Sequence, residues 1–288
     1  MASTPILQTG KTTGSRFFDA RAVEDLVTLP LLQESVALRV SKVIRPKLGQ
    51  IVEIPVIASD SDDEPAWTPE GAEITRVSPP NAGTLTLTHY KVAAGDSIPW
   101  ERLNDVSYDV LDLVGQSLVR KITATIDAAY FNEVDNGRHP ISGVGLLEGT
   151  NNASISAVNN VDWALDAVEH AAAHDAAVGA FVTSPKTLTA LAKIKKGTGS
   201  NESLFGTSEA PGVATLAGVP LIASRHVSDT RIWAIPTDRV IVSLRQDVTV
   251  ATDPSADFGR QVAGIAASAR VSMGCIDPAA VTKVTIGS

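Results

Sequence analysis

Between about Leu103 and Val134 the chain carries a single apolar repeat. Val106, Val110, Val114, Leu118, Ile122, Ile126 and Tyr130 recur at every fourth position, and Leu103, Leu111 and Leu113 widen the stripe. A strand would put Asp112, Gln116 and Arg120 on the same face as those residues, because its side chains alternate with period two. A helix puts them elsewhere. Asn104 or Asp105 is placed to cap the first turn, Asp109 and Asp112 suit the positive end of the helix dipole, and Gly137 is placed to close the helix. About thirty helical residues span ~45 Å, far beyond the ~11–12 residues of an average globular helix. The apolar stripe drifts round the helix and holds no a/d seam, which argues against a coiled coil. Arg120, Lys121, Asp109, Asp112 and Asp127 argue against a membrane span. Two readings of the helix stay open at this point: a core helix crossing a mixed domain, or a strut that organises a larger assembly.

The chain is long enough, at 288 residues with 44% hydrophobic, for one large core or two modest ones. Its net charge of −8 and the absence of any basic stripe exclude high-affinity electrostatic binding to a nucleic-acid backbone, leaving weak contact only. A single cysteine, Cys275, excludes an intramolecular disulfide framework and a zinc site built on several thiolates. The first residues lack a basic region followed by an apolar core, so no secretory signal peptide is expected.

Residues 1–15 read as a polar arm, and 16–27 as a short amphipathic helix limited by Pro30. Residues 38–57 read as strand, turn, strand, the start of a hairpin. An acidic, Pro- and Gly-rich tract follows and returns through the alternating strand Thr84–Val92. That two-stranded excursion has no private core and would be marginal alone, so it is expected to lie on something else, most naturally a neighbouring subunit. After a turn-rich link a new domain is expected near Ile141. It comprises a helix over about 161–176, a short buried strand at Phe181–Thr183, a helix opened by Ser184-Pro185, a flexible Gly-Thr loop and a strand from Gly218. From Arg239 onward three or more strands are expected, separated by Pro254, Gly259 and Pro278.

The search for catalytic chemistry finds fragments. His170 and His174 lie four apart with Glu169 and Asp175 beside them, but no third ligand and no internal glutamate complete a zinc-protease pattern. Gly197-Thr198-Gly199-Ser200 lacks the Gly-Lys-Ser/Thr of a phosphate loop. Cys275, in an apolar context, reads as a small buried hydrophobe. Asp60, Asp62, Asp63 and Glu64 lack EF-hand spacing. No constellation commits to catalysis, metal or cofactor.

Taken in order, several segments resemble the major capsid proteins of tailed phages. Trp67-Thr68-Pro69-Glu70-Gly71-Ala72 is similar to the tryptophan-then-Glu-Gly-Ala signature of that family's extended loop. Trp100-Glu101-Arg102-Leu103-Asn104-Asp105 resembles the start of its spine helix, with Pro99 and Trp100 in place of the usual small residues. Thr125–Phe131 is similar to the end of that helix, and Asn136-Gly137 and Pro140–Val144 to the opening of its axial domain. Ser184-Pro185 and Leu216–Leu221 are similar to that domain's later marks. The specificity lies in the ordered set.

The resemblance implies an α+β Hong Kong 97-like capsid fold with a long spine helix, an extended β-hairpin loop, a peripheral domain and an axial domain. It divides the chain into an arm and short helix (1–30), a peripheral domain (31–140, with the extended loop at about 45–95 and the spine helix at about 103–134) and an axial domain (141–238). Strands over 239–288 return to the peripheral domain and finish the axial one. It implies a head protein that self-assembles into an icosahedral shell of hexamers and pentamers enclosing double-stranded DNA, in a virion assembled in the host cytoplasm. The implied partners are other copies of the chain, a portal, separate scaffolding or decoration proteins, and DNA by weak non-specific contact, with no membrane. Trp67, Pro69 and Glu70 on the loop, and Phe17 and Phe18 on the arm, are the expected subunit contacts. The chain begins almost at the arm, so scaffolding is expected to be separate or absent. Lys42, Lys47 and Lys91 flank the loop but none sits at its tip, so no isopeptide weld is expected. The alternatives are an encapsulin shell, which shares the fold, and a small metal-dependent hydrolase using His170 and His174.

Overall fold

A computed structural model describes residues 35–46, 49, 51–59, 67–71, 73–74, 81–101, 110–133, 139–156, 160–195 and 214–287. The arm with Phe17 and Phe18, the acidic cluster at 60–64, the helix start at 103–109, Gly137 and the Gly-Thr loop at 197–200 lie outside these residues.

The central helix, α2, follows a short helix α1 (Val36–Arg39) and runs Val110–Tyr130, 21 residues and roughly 31 Å. It stops at Tyr130 and not near Val134; there Val144 and Gly145 donate their amides to the Tyr130 carbonyl and turn the chain back over the helix end. Leu118, Ile122, Ile126 and Tyr130 are buried as the fourfold spacing requires. Leu113, expected to widen the stripe, is 59% exposed.

Three sheets surround this helix. A four-stranded sheet has the order β1 (Lys42–Ile44), β10 (Val240–Asp257), β11 (Val262–Cys275) and β4 (Tyr90–Pro99). A six-stranded sheet has the order β5 (Asn151–Ile155), β12 (Thr282–Ile286), β9 (Arg231–Ile235), β6 (Ala180–Thr183), β8 (Val219–Ala223) and β7 (Ala214–Leu216). The third is the hairpin of β2 (Ile51–Ser59) and β3 (Asn81–Thr88).

Two hydrophobic clusters share the six-stranded sheet between them. In β6 and β9, Val182, Trp233 and Ile235 join the cluster of α2 and the four-stranded sheet. Their alternate neighbours Phe181, Ile232 and Ala234 join a second cluster beneath helix α3 (Asp162–Ala173). Period-two alternation therefore gives one sheet two buried faces. Trp163 of α3 meets Phe181 edge to face at 5.6 Å and 82°. Helix α4 (Pro185–Ala192) starts as its sequence predicts, with the Ser184 hydroxyl accepting from the Thr187 amide and Pro at the first turn.

Four expectations need correction. Within residues 38–57 both strands and the interruption between them are present as β1 and β2, and β2 opens the hairpin with β3; but Leu38 lies in α1, and β1 pairs in parallel with β10. The single strand expected over Thr84–Val92 is two strands that break at His89 and belong to different sheets. Pro254 lies within β10, so the separators between the last strands are the 3-10 turns Phe258–Arg260 and Pro278–Ala280. Strands β5 and β9 were not anticipated. β9 reads Arg-Ile-Trp-Ala-Ile, and its residues 232–235 are buried on both faces, so it lacks the polar alternation by which a strand is recognised.

Candidate assembly interface

The hairpin is anchored at its base. At the base, His89 is buried and its Nε2 lies 2.8 Å from the Ser243 Oγ of β10, fixing the point where the chain leaves β3 for β4. Leu85 and Leu87 fill the space beside Gly274, where an added Cβ would stand 2.6 Å from Leu87 Cδ2. Further out the register pairs Ile54 with Leu85 and Val52 with Leu87 on one half-buried face. The opposite face pairs Ile51 with Thr88 and Glu53 with Thr86; Ile51, Glu53 and Thr86 are exposed and Thr88 is half-buried.

Towards the tip, Trp67 is 102% exposed and Ile74 77% exposed. Between them Glu70 and Gly71 form a turn, and Gly71 has φ +78°, a left-handed conformation that glycine adopts without penalty. Pro69 and Glu70 are exposed beside it.

A second polar assembly ties the segment that follows the arm onto α2. The buried Asp127 carboxylate accepts from the Ser35 hydroxyl at 2.7 Å, the Ala37 amide at 3.0 Å and the Val36 amide at 3.2 Å. Ser35 Oγ in turn accepts from the Leu38 amide. One turn on, Tyr130 Oη and Ser41 Oγ are 2.6 Å apart, and burial pushes the Tyr130 hydroxyl above its ordinary pKa. Neither contact is apparent in the sequence except as polar residues on the apolar face of a helix.

The remaining chemical candidates stand apart. The rings of His170 and His174 are 5.0 Å apart, and His174 Nδ1 is 4.0 Å from a carboxylate oxygen of Asp277. Among the described residues no three of His, Cys, Asp and Glu gather as a metal cage. Cys275 is buried, and burial pushes its thiol up to about 12. A cleft of about 370 Å³ lies beside Arg120, Asp127, Arg225 and His226. Burial holds the His226 imidazole below its ordinary pKa; the Asp127 charge opposes that shift and Arg225 reinforces it. Among the described residues no helix is long and apolar enough to cross a membrane.

The family model of the phage capsid family matches residues 21–286. Among solved structures, one from Mycobacterium phage Adephagia superposes with a TM-score of 0.69 at 18% identity, covering 88% of this chain and 90% of its own. The capsid of an empty GTA particle gives 0.69 at 18% identity, with the same coverages. A structure from Microbacterium phage Oxtober96 gives 0.68 at 17%, covering 88% and 91%. A search of curated proteins finds no match. Family match and shared fold together place the chain in the phage capsid family, as a structural protein of the major capsid kind built on the Hong Kong 97-like fold.

Proposed function

We propose that copies of the chain close into an icosahedral shell of hexamers and pentamers around double-stranded DNA, with no catalytic role. The observation that carries this reading is the wholly exposed Trp67 beyond a hairpin whose base is held by Gly274 and Ser243. A tryptophan side chain buries ~200 Å², worth about 5 kcal/mol gross at ~25 cal/mol per Å². Ordering costs reduce that figure, but repetition round a closed shell multiplies what remains. Trp67, Pro69 and Glu70 are the loop contacts, and Phe17 and Phe18 those of the arm.

The strand pairings support a peripheral domain at 31–140 holding the hairpin and α2, and an axial domain at 141–238. Residues 239–288 supply strands to both: β10 and β11 to the sheet of β1 and β4, and β12 to the sheet of β5 and β9. The similar GTA capsid was computed with C5 symmetry, in keeping with fivefold vertices here. A net charge of −8 suits a container that encloses DNA without gripping it. Portal, scaffolding and decoration proteins are the expected partners, and assembly takes place in the host cytoplasm.

The test is electron microscopy with light scattering on the full chain and on a variant lacking residues 60–82. The full chain forms closed particles tens of nanometres across; the deletion stays folded and does not close. Normal shells from the deletion would overturn the role of the hairpin. A full chain that stays monomeric with its assembly factors present would overturn the shell itself.

A further inference from the structure

The turn that follows β8 is held at both ends and carries its charge in the middle. The Ser224 amide donates to the Thr183 carbonyl at 2.8 Å and the Val227 amide to the Ser224 carbonyl at 3.3 Å, while Val227 is buried in the cluster of α2 and the four-stranded sheet. Arg225 and His226 therefore stand on a fixed base. They meet α2 at the cleft of about 370 Å³, which Arg120, Thr123 and Asp127 line from one face of the helix, at spacings of three and four residues. Val36 of α1 borders the cleft, and Ala124 and Ala223 add only methyl groups to its lining.

Its polar groups are donors in search of an acceptor. Among the described residues neither Arg120 nor Arg225 pairs with a carboxylate, although the chain has 32 acidic residues against 24 basic ones. The Arg225 Nε donates to the His226 Nε2 at 3.2 Å, which orients the guanidinium and leaves its Nη groups free. The Ser224 hydroxyl, 4% exposed, accepts from the His226 amide at 3.3 Å and keeps its own proton to give. The single carboxylate of the cleft, Asp127, is already engaged by the Ser35 hydroxyl and the Val36 and Ala37 amides. Two guanidinium charges thus stand against one carboxylate whose acceptor capacity is turned toward α1.

We propose that this cleft is a binding site for a phosphoryl oxyanion, held between the guanidinium groups of Arg120 and Arg225 with the Ser224 hydroxyl as a further donor. Planar guanidinium forks match the oxygens of a phosphoryl group two at a time, which a lysine would not. The volume lies at the lower end of the ~300–1,000 Å³ of small-ligand pockets, room for one such group and its water. Free phosphate and the phosphodiester of a nucleic-acid backbone share this chemistry. The cleft lies within one subunit, so the site does not depend on how copies assemble.

The experiment is equilibrium dialysis of the full chain against radiolabelled inorganic phosphate, with ionic strength held constant by chloride. The parent binds phosphate saturably, about one per subunit. Arg120→Gln and Arg225→Gln, both at exposed positions, keep the parental melting temperature and weaken binding about tenfold or more. Lys121→Gln removes the same charge from the next residue, outside the cleft, and leaves binding unchanged. Absence of saturable binding by the parent overturns the site, as does equal weakening by Lys121→Gln, the mark of a general charge effect. A second measurement needs no variant: sulfate, a tetrahedral dianion, displaces the labelled phosphate from the parent, and nitrate does not. Displacement by nitrate as effective as by sulfate overturns the proposal even where an arginine variant fails to fold. A short mixed-sequence DNA duplex separates the two sources: displacement of the label assigns the cleft to a nucleic-acid backbone, and its retention to a free oxyanion.

Discussion

The carboxylate of Asp127 is the single group whose removal should cost the subunit most for its size. It is 5% exposed, and three donors converge on it, two of them amides of the four-residue helix α1. Asp127→Ala leaves the Ser35 hydroxyl and the Val36 and Ala37 amides without their acceptor in a part-buried site. Each orphaned donor costs about 1–3 kcal/mol. Water admitted into the space vacated beside the 370 Å³ cleft recovers part of the sum, so the net loss should be about 3–5 kcal/mol. Against a total stability of ~5–15 kcal/mol that is a large fraction. Asp127→Asn keeps one acceptor oxygen and should cost only about 1–2 kcal/mol. Urea unfolding of unassembled subunits, followed by the fluorescence of buried Trp163 and Trp233, measures both. Ser35→Ala combined with Asp127→Ala closes a cycle that should show more than about 0.5 kcal/mol of coupling. A loss below about 1 kcal/mol for Asp127→Ala, or strict additivity in the cycle, would show that the clasp does not hold α1.

Gly143→Ala places a Cβ against the ring of buried Tyr130, whose hydroxyl is already held by Ser41, so the ring cannot yield; overpacking should cost about 1–3 kcal/mol or more, seen as a lower Tm. The Cys275 thiol, pushed up to about 12 by burial, holds a thiolate in only about one molecule in ten thousand at pH 8. Native protein should therefore react with a thiol reagent no faster than it unfolds, and rapid labelling would contradict that. His226 is held below its ordinary 6.5, so the unfolded chain takes up its proton first as pH falls. The stability this contributes is present above pH 6.5 and is lost as pH falls through the depressed value. The slope of stability between pH 7 and 5 should flatten in His226→Gln relative to the parent, with Asp127, Arg120 and Arg225 unchanged beside it.

What could be read from the residues depended on whether the determining interaction was local. The fourfold spacing of Leu118, Ile122, Ile126 and Tyr130 and the Ser184-Pro185 start are properties of a few neighbouring residues, and both stand in the structure as read. Leu38 and Arg39 read as the start of a strand because the residues that follow alternate loosely. They are helix because Ser35 and an aspartate 90 residues from Ala37 hold the first amides of Val36–Arg39. The break at His89 leaves a local trace that the single-strand reading passes over: the apolar positions change phase there, from Leu85 and Leu87 to Tyr90 and Val92, and His89, held by Ser243, stands where the chain passes from one sheet to another. The exposed state of Trp67 was legible as a tryptophan in a tract without apolar neighbours. A shallow depression of about 590 Å³ between Gly95, Ala251 and Ala266 was not, since runs such as Ala93-Ala94-Gly95 and Ala266-Ala267-Ser268 acquire meaning only when registered side by side.

That register has a consequence in time. Lys42 finds its partner at Ile241, Pro99 at Val262 and Asn151 at Thr282, so the four-stranded sheet, and the β5 edge of the six-stranded one, wait for strands from Val240 onward. At ~5–20 residues per second, roughly 200 residues of synthesis separate Lys42 from its neighbour by about 10–40 s. During that interval a nascent chain has no finished sheet face for another copy to recognise. A chain interrupted before Val240 lacks the two strands that join β1 to β4, so the order of the strands keeps an unfinished chain from presenting the face by which copies would recognise each other.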